Sequence, residues 1–176
     1  MHRTLPLLLL VAAGAVLLVL VRAPERLTGR ALAARGHRVL GVTAGAVRAV
    51  TVEVGPRRLV ARRTAGGWDL DGQPARGTAA EAVADLVTAL AELRALDAFR
   101  SAGDVTPFGL DSPRGTITVE TGGRTRRLRL GTYVASGAAL YARREGDPRI
   151  VTIGTGIEST LERALQARAT SGQESP

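Results

Sequence analysis

Residues 68–113 read WDLDGQPARGTAAEAVADLVTALAELRALDAFRSAGDVTPFGLDSP, and the fold turns on how this stretch is parsed. Its middle, from about Thr78 to Leu96, carries Val83, Leu86, Val87, Leu90 and Leu93 at helical spacing, with Asp85, Thr88 and Glu92 off that stripe. Such spacing predicts an amphipathic helix whose apolar side needs a sheet to cover. Thr78 followed by Glu81 predicts a capping box at the first turn, and Glu81 and Asp85 suit the helix dipole. Ahead of the helix, Trp68 and Leu70 form a short strand in which the lone Trp is a core anchor. Behind it, Pro107-Phe108-Gly109-Leu110-Asp111-Ser112-Pro113 is a turn. Gly109 permits a left-handed bend, Pro113 stiffens the exit, and Phe108 and Leu110 plug the core.

Outward from this block the chain alternates with period two. Upstream, Val50, Val52 and Val54 alternate with Ala49, Thr51 and Glu53, Gly55-Pro56 turns, and Arg58 to Arg63 returns to a second turn at Gly66-Gly67. The segment after Leu96 reads as irregular, with Asp97, Ser101, Gly103 and Asp104. Downstream, Ile117 and Val119 lead to a turn at Gly122-Gly123 and a strand bearing Leu128 and Leu130. That Gly pair joins two alternating strands and opens no helix, so it is a hairpin turn and not a phosphate loop. A further hairpin follows, Ala139 to Arg143 and Ile150 to Ile153 around Glu145-Gly146-Asp147-Pro148. Thr155 and Glu158 predict a second capping box, opening a closing helix with Ile157, Leu161, Ala164 and Leu165 inward. The expected fold class is α+β: antiparallel β-meander and hairpins, one central amphipathic helix, and a C-terminal helix packed on the sheet.

One transmembrane helix is expected to precede this domain. Leu5 to Val21 contains no charge, and its 17 residues extend about 25 Å as a helix, at the short end of what spans a bilayer. A cleaved secretory signal is the alternative. Its only fair cleavage pattern, Val21-Arg22-Ala23, would put Pro24 first in the mature chain, so an uncleaved anchor is the better reading. Read literally, Arg22, Arg26, Arg30, Arg35 and Arg38 place the domain in the cytoplasm. The short tail with an immediate apolar run instead resembles an export signal, and composition inflates the arginine excess. The reading adopted is an inner-membrane, single-pass protein with an extracytoplasmic domain. The expected layout is a tail at 1–4, the anchor at 5–21, a juxtamembrane tether at 22–46, the α+β domain at 47–168 and a disordered polar tail at 169–176.

All 24 basic residues are Arg, and the chain has neither Lys nor Asn. The net charge of +8 therefore reflects composition more than a nucleic-acid footprint, because the arginines are scattered and no aromatic platform accompanies them. There is no Cys, which excludes disulfides, thiolate metal sites and Cys nucleophiles. No cofactor or metal is expected. His37 sits in the tether with no carboxylate or second His beside it. Asp104 and Asp111 are the one acidic pair near a structured loop, the minimum that a hydrolase would need. Asp111 reads as a turn former. Arg58, Arg62, Arg127 and Arg129 offer either an anion-binding face or a solvated sheet face.

The motifs occur in a recognisable order: Gly67-Trp68-Asp69-Leu70, Pro74-Ala75 before the helix stripe, Gly109 to Pro113, Leu128 to Gly131, and a strand bearing Tyr141. Together, over roughly residues 47–153, they resemble the domain-of-unknown-function 4340 (DUF4340) family of bacterial membrane-anchored envelope proteins. The resemblance implies association with ABC-type transport or gliding-motility auxiliary systems and carries over no catalytic or binding residue. The expected role is thus non-enzymatic: a membrane-held domain that binds other envelope proteins through a sheet with free edges. The alternatives are an envelope module for anionic lipid or glycan, and then an envelope hydrolase.

Overall fold

Period-two alternation in both halves of the chain resolves into one antiparallel sheet. The computed structural model describes residues 36–101 and 103–171. Its first half contains β1 (Val47–Val54), β2 (Arg57–Thr64), β3 (Gly67–Leu70), β4 (Gln73–Pro74) and helix α1 (Gly77–Glu92). A short β5 (Asp97–Arg100) follows. The second half contains β6 (Gly115–Thr121), β7 (Arg124–Tyr133), β8 (Ala139–Arg144), β9 (Arg149–Gly154) and helix α2 (Gly156–Ser171). The strand order is β4-β3-β2-β1-β6-β7-β8-β9-β5. Each half is therefore a four-stranded meander followed by a helix, and the halves join where β1 lies antiparallel to β6, with Val50 opposite Val119 and Val52 opposite Ile117. The α+β class and its large antiparallel sheet with two helices are as the alternation implied.

Both helices pack on each other and on the same sheet face, where the inward residues of alternate positions meet their apolar stripes. Val50, Leu59, Ile117, Val119 and Leu128 are fully buried there, as are Val83 and Leu86 of α1, with Leu161 and Leu165 of α2 beside them. On the opposite face a smaller core forms. The chain leaves β5 at one edge and returns to β6 at the centre, and its 3-10 turn (Thr106–Phe108) sits on the strands it crosses. Phe108 lies 5.0 Å from Tyr141 and 5.4 Å from Phe99, ring centre to ring centre, and buried Leu110 follows. Gly109 takes φ +64° to end the turn, and a Cβ there would stand 3.0 Å from the Thr132 amide nitrogen.

Several expectations are corrected. Neither capping box forms. Helix α1 begins at Gly77 with Arg76 as its N-cap, so Thr78 lies inside the first turn, and the Arg76 guanidinium, which only donates, offers no side-chain cap. At α2 the Glu158 carboxylate turns away from its own helix end to accept from the Tyr133 hydroxyl at 2.9 Å. The first helix stops at Glu92, not Leu96, because the next residues pair with the segment before β1: Val39 N–H donates to Leu93 O and Ala95 N–H to His37 O. That segment is no loose tether where it is described. Val39, Leu40 and Val42 are core residues. Asp97–Arg100, read as irregular, is an edge strand held by β9, with Phe99 opposite Ile150. The helix α2 runs to Ser171, past the expected start of the tail at Ala169.

The expected tail at 1–4, the anchor at 5–21 and the tether up to residue 35 lie outside the described residues, as does 172–176. Among the described residues no helix is long and apolar enough to cross a membrane.

Candidate functional site

The hydrolase candidates, Asp104 and Asp111, both lie on the crossover between β5 and β6. One Asp104 oxygen accepts the Thr106 N–H at 2.9 Å, and this backbone hydrogen bond, the largest cause, holds its carboxyl below the usual range. A carboxylate used as a turn cap and kept ionised is a poor general acid. Asp111 is exposed on the turn that follows Leu110. Among the described residues no three His, Asp or Glu side chains gather where a metal ion would sit. His37 is exposed, and its backbone carbonyl ties the strap before β1 to Ala95.

The four candidate arginines share the sheet face opposite the helices. Cross-strand register places them in rows. One row reads Arg58, Glu53, Thr116, Arg129, Arg143; the next reads Val60, Thr51, Thr118, Arg127; a third reads Asp69, Arg62, Ala49, Glu120, Thr125. The Phe108 turn covers the β8–β9 end of this face and leaves these rows open. Two arginines here meet an acid, Arg58 with Glu53 at 3.5 Å and Arg127 with Glu145 at 3.3 Å, and Arg62 lies opposite Asp69 in the register. Such pairs are exposed and contribute little to stability, but they neutralise the surface. Arg129, opposite Arg143, is the position where like charges face each other. The face is thus a mixed polar surface of threonines and charged side chains.

The sheet edges offer less than expected. Pro74 lacks an N–H on the β4 edge, and on β5 the Ala98 N–H is occupied at 2.9 Å by the Asp97 carboxylate. Both devices hinder addition of a strand from another chain.

One further feature was invisible in the sequence. A cleft of about 210 Å³ lies between α2 and the strands, with Val54, Leu130, Leu140, Leu161 and Leu165 as its apolar wall. Its rim carries two ion pairs, Arg57–Glu162 at 2.8 Å and Arg114–Glu158 at 3.8 Å. The Arg114 guanidinium also lies over the Tyr133 ring, 4.4 Å from its centre. Arg57 and Glu162 come from opposite ends of the domain, so no local motif announces them. The rim holds no nucleophile with an adjacent base. The apolar wall of the cleft can take an apolar group.

The strongest electrostatic feature is Asp147 in the β8–β9 turn. Oδ1 accepts from the Arg149 amide and Nε, both at 3.0 Å, and Oδ2 accepts from Arg149 Nη2 at 2.8 Å and Arg144 Nη2 at 3.1 Å. The Arg149 side-chain bonds are the largest cause holding this carboxyl at about 2, from an ordinary 3.8, against an opposing contribution from burial. Because the folded value lies below the unfolded one, the stabilisation is complete above the unfolded value and is lost as pH falls through about 2. Thermal unfolding of Asp147→Asn should show about 1–2 kcal/mol less stability at neutral pH, with the difference closing in acid. Parallel acid limbs for the two proteins would disprove the clamp.

A family model described as "Domain of unknown function (DUF4340)" matches residues 68–170, from Trp68 in β3 to the last turn of α2. No curated protein and no solved structure matches the chain.

Proposed function

The chain belongs to the DUF4340 family, and on that footing we propose a non-catalytic role: a domain held at the cytoplasmic membrane by residues 5–21, on the extracytoplasmic side, that docks other envelope proteins. The observation that carries this reading is the open part of the sheet face, a broad surface of Thr51, Thr116, Thr118 and balanced ion pairs with no catalytic constellation beside it. Mixed charge and hydroxyls suit a transient protein contact, in which polar groups set specificity. The blunted edges support a face-on contact over strand addition. An ABC-type transport or gliding-related assembly is the partner class that the family resemblance implies.

Photocrosslinking in the native host tests this. A photoreactive residue at Thr51 or Thr118 should yield adducts with envelope proteins, whereas one at Glu81, exposed on α1, should yield few. Recovery of the chain alone and monomeric from every position would overturn the proposal.

A further inference from the structure

A second cavity, also about 210 Å³, opens at the β5–β9 edge beside the strap that precedes β1. Ala98 and Val151 form part of its wall, and His37, Arg38, Arg144, Asp147 and Arg149 surround it. Three guanidinium groups therefore share one carboxylate. Asp147 is fully engaged by Arg144 and Arg149, which fixes both guanidinium groups in place without neutralising the pair. The need to hold the hairpin turn accounts for those two arginines. It does not account for Arg38, whose side chain has no partner among the described residues.

The Arg38 backbone is nonetheless held in position at the rim, with the side chain exposed. Its strap is tied down by Gly36 N–H to Ala95 O at 3.0 Å, Ala95 N–H to His37 O at 2.9 Å and Val39 N–H to Leu93 O at 2.8 Å, while Val39 and Leu40 are buried. Bringing a third cation to this cavity costs energy unless a counter-anion balances it. The donors left over on Arg38, Arg144 and Arg149 are planar guanidinium N–H groups, whose fork geometry matches a tetrahedral oxyanion better than an ammonium would.

We propose that this cavity binds a phosphate-type oxyanion, held by Arg38 together with the Asp147-oriented Arg144 and Arg149. The cavity is larger than one phosphate group, so a phosphomonoester or phosphodiester fits with part of its carbon skeleton against Ala98 and Val151. A lipid headgroup and a soluble phosphate both present this chemistry. The lipid source is tested because the chain enters the domain at this cavity and the expected span lies upstream. This inference is independent of the protein-docking role, which uses the opposite face of the sheet.

The test uses the full chain in neutral detergent, with backbone amide shifts of Ala98 and Val151 as reporters. The probes are inorganic phosphate, dihexanoyl-phosphatidylglycerol, and dihexanoyl-phosphatidylcholine as a zwitterionic control. Saturable shifts at both amides are expected with phosphate, phosphatidylglycerol or both, and the tighter of the two identifies the source. Arg38→Gln should weaken binding about tenfold or more, since it removes a charge-assisted contact without touching the turn clamp. Arg58→Gln, on the other face, should change it less than twofold. Absence of saturable shifts with either anion overturns the proposal, as does an equal loss in the two variants or equal binding of the zwitterionic control.

Discussion

Gly131→Ala is expected to cost about 3 kcal/mol or more, a large share of the 5–15 kcal/mol that holds a domain of this size. Gly131 lies in β7 at the irregularity between Leu130 and Tyr133, directly under the Phe108 turn. A Cβ built there would stand 2.0 Å from the Phe108 carbonyl oxygen and 3.1 Å from Leu110 Cδ2. The first contact is with backbone, which no rotamer change relieves. The turn is itself tied by Phe108 N–H to Val105 O at 3.1 Å and Gly109 N–H to Thr106 O at 2.9 Å, so it must lift as a unit. Lifting it separates Phe108 from Tyr141 and Phe99 and exposes Leu110, which is 1 % exposed in the native state. Urea unfolding of the full chain in neutral detergent measures the loss. Gly66→Ala, where a Cβ meets nothing within 4 Å, is the control and should stay within about 0.5 kcal/mol. An unchanged midpoint for Gly131→Ala would mean that the turn does not press on β7 in solution.

The same turn shows which parts of the structure local pattern could reveal. Phe108, Gly109 and Leu110 were legible as a core-plugging bend because the bend and its apolar flanks are neighbours in sequence. That the bend closes over a glycine in β7 depends on a crossover from β5 to β6, which no window of sequence contains. The strands covered by helices were legible for a related reason: one buried face imposes strict alternation, as in Val50, Val52 and Val54. β5 was not, because four residues at an edge, Asp97–Arg100, give alternation no length in which to appear. At α2 the capping box failed because the Thr155 carbonyl takes the Glu158 amide at 2.9 Å, a competition that residue types alone do not decide. The candidate arginines could be named from sequence, but the pairing of Arg58 with Glu53 and of Arg127 with Glu145 depends on register. The clamp on Asp147 was hidden likewise: the turn Glu145–Pro148 was readable, and the convergence of Arg144, Arg149 and Arg38 on one cavity was not.

Leu86→Ala should cost about 3–5 kcal/mol, near the top of the range for such truncations. Leu86 sits in the middle of the α1 stripe and is fully buried, with Val83, Val87 and Leu90 of the same helix buried around it. The size of the penalty depends on how far neighbours can move into the vacated space. Here they have little freedom. Beneath lies a continuous sheet whose central strands are paired on both sides, and alongside lies α2, which packs on α1. A helix bounded by a sheet and a second helix cannot shift to fill a cavity without opening another contact. The exposed neighbour Asp85 provides the contrast. Its pair with Arg163, at 3.2 Å and largely solvent-accessible, contributes little, so Asp85→Ala should stay within about 0.5 kcal/mol. Both variants are read as shifts in the denaturation midpoint at constant slope. A loss below about 1 kcal/mol for Leu86→Ala would mean that α1 is not clamped between sheet and α2, since only a site free to collapse would tolerate the truncation so cheaply.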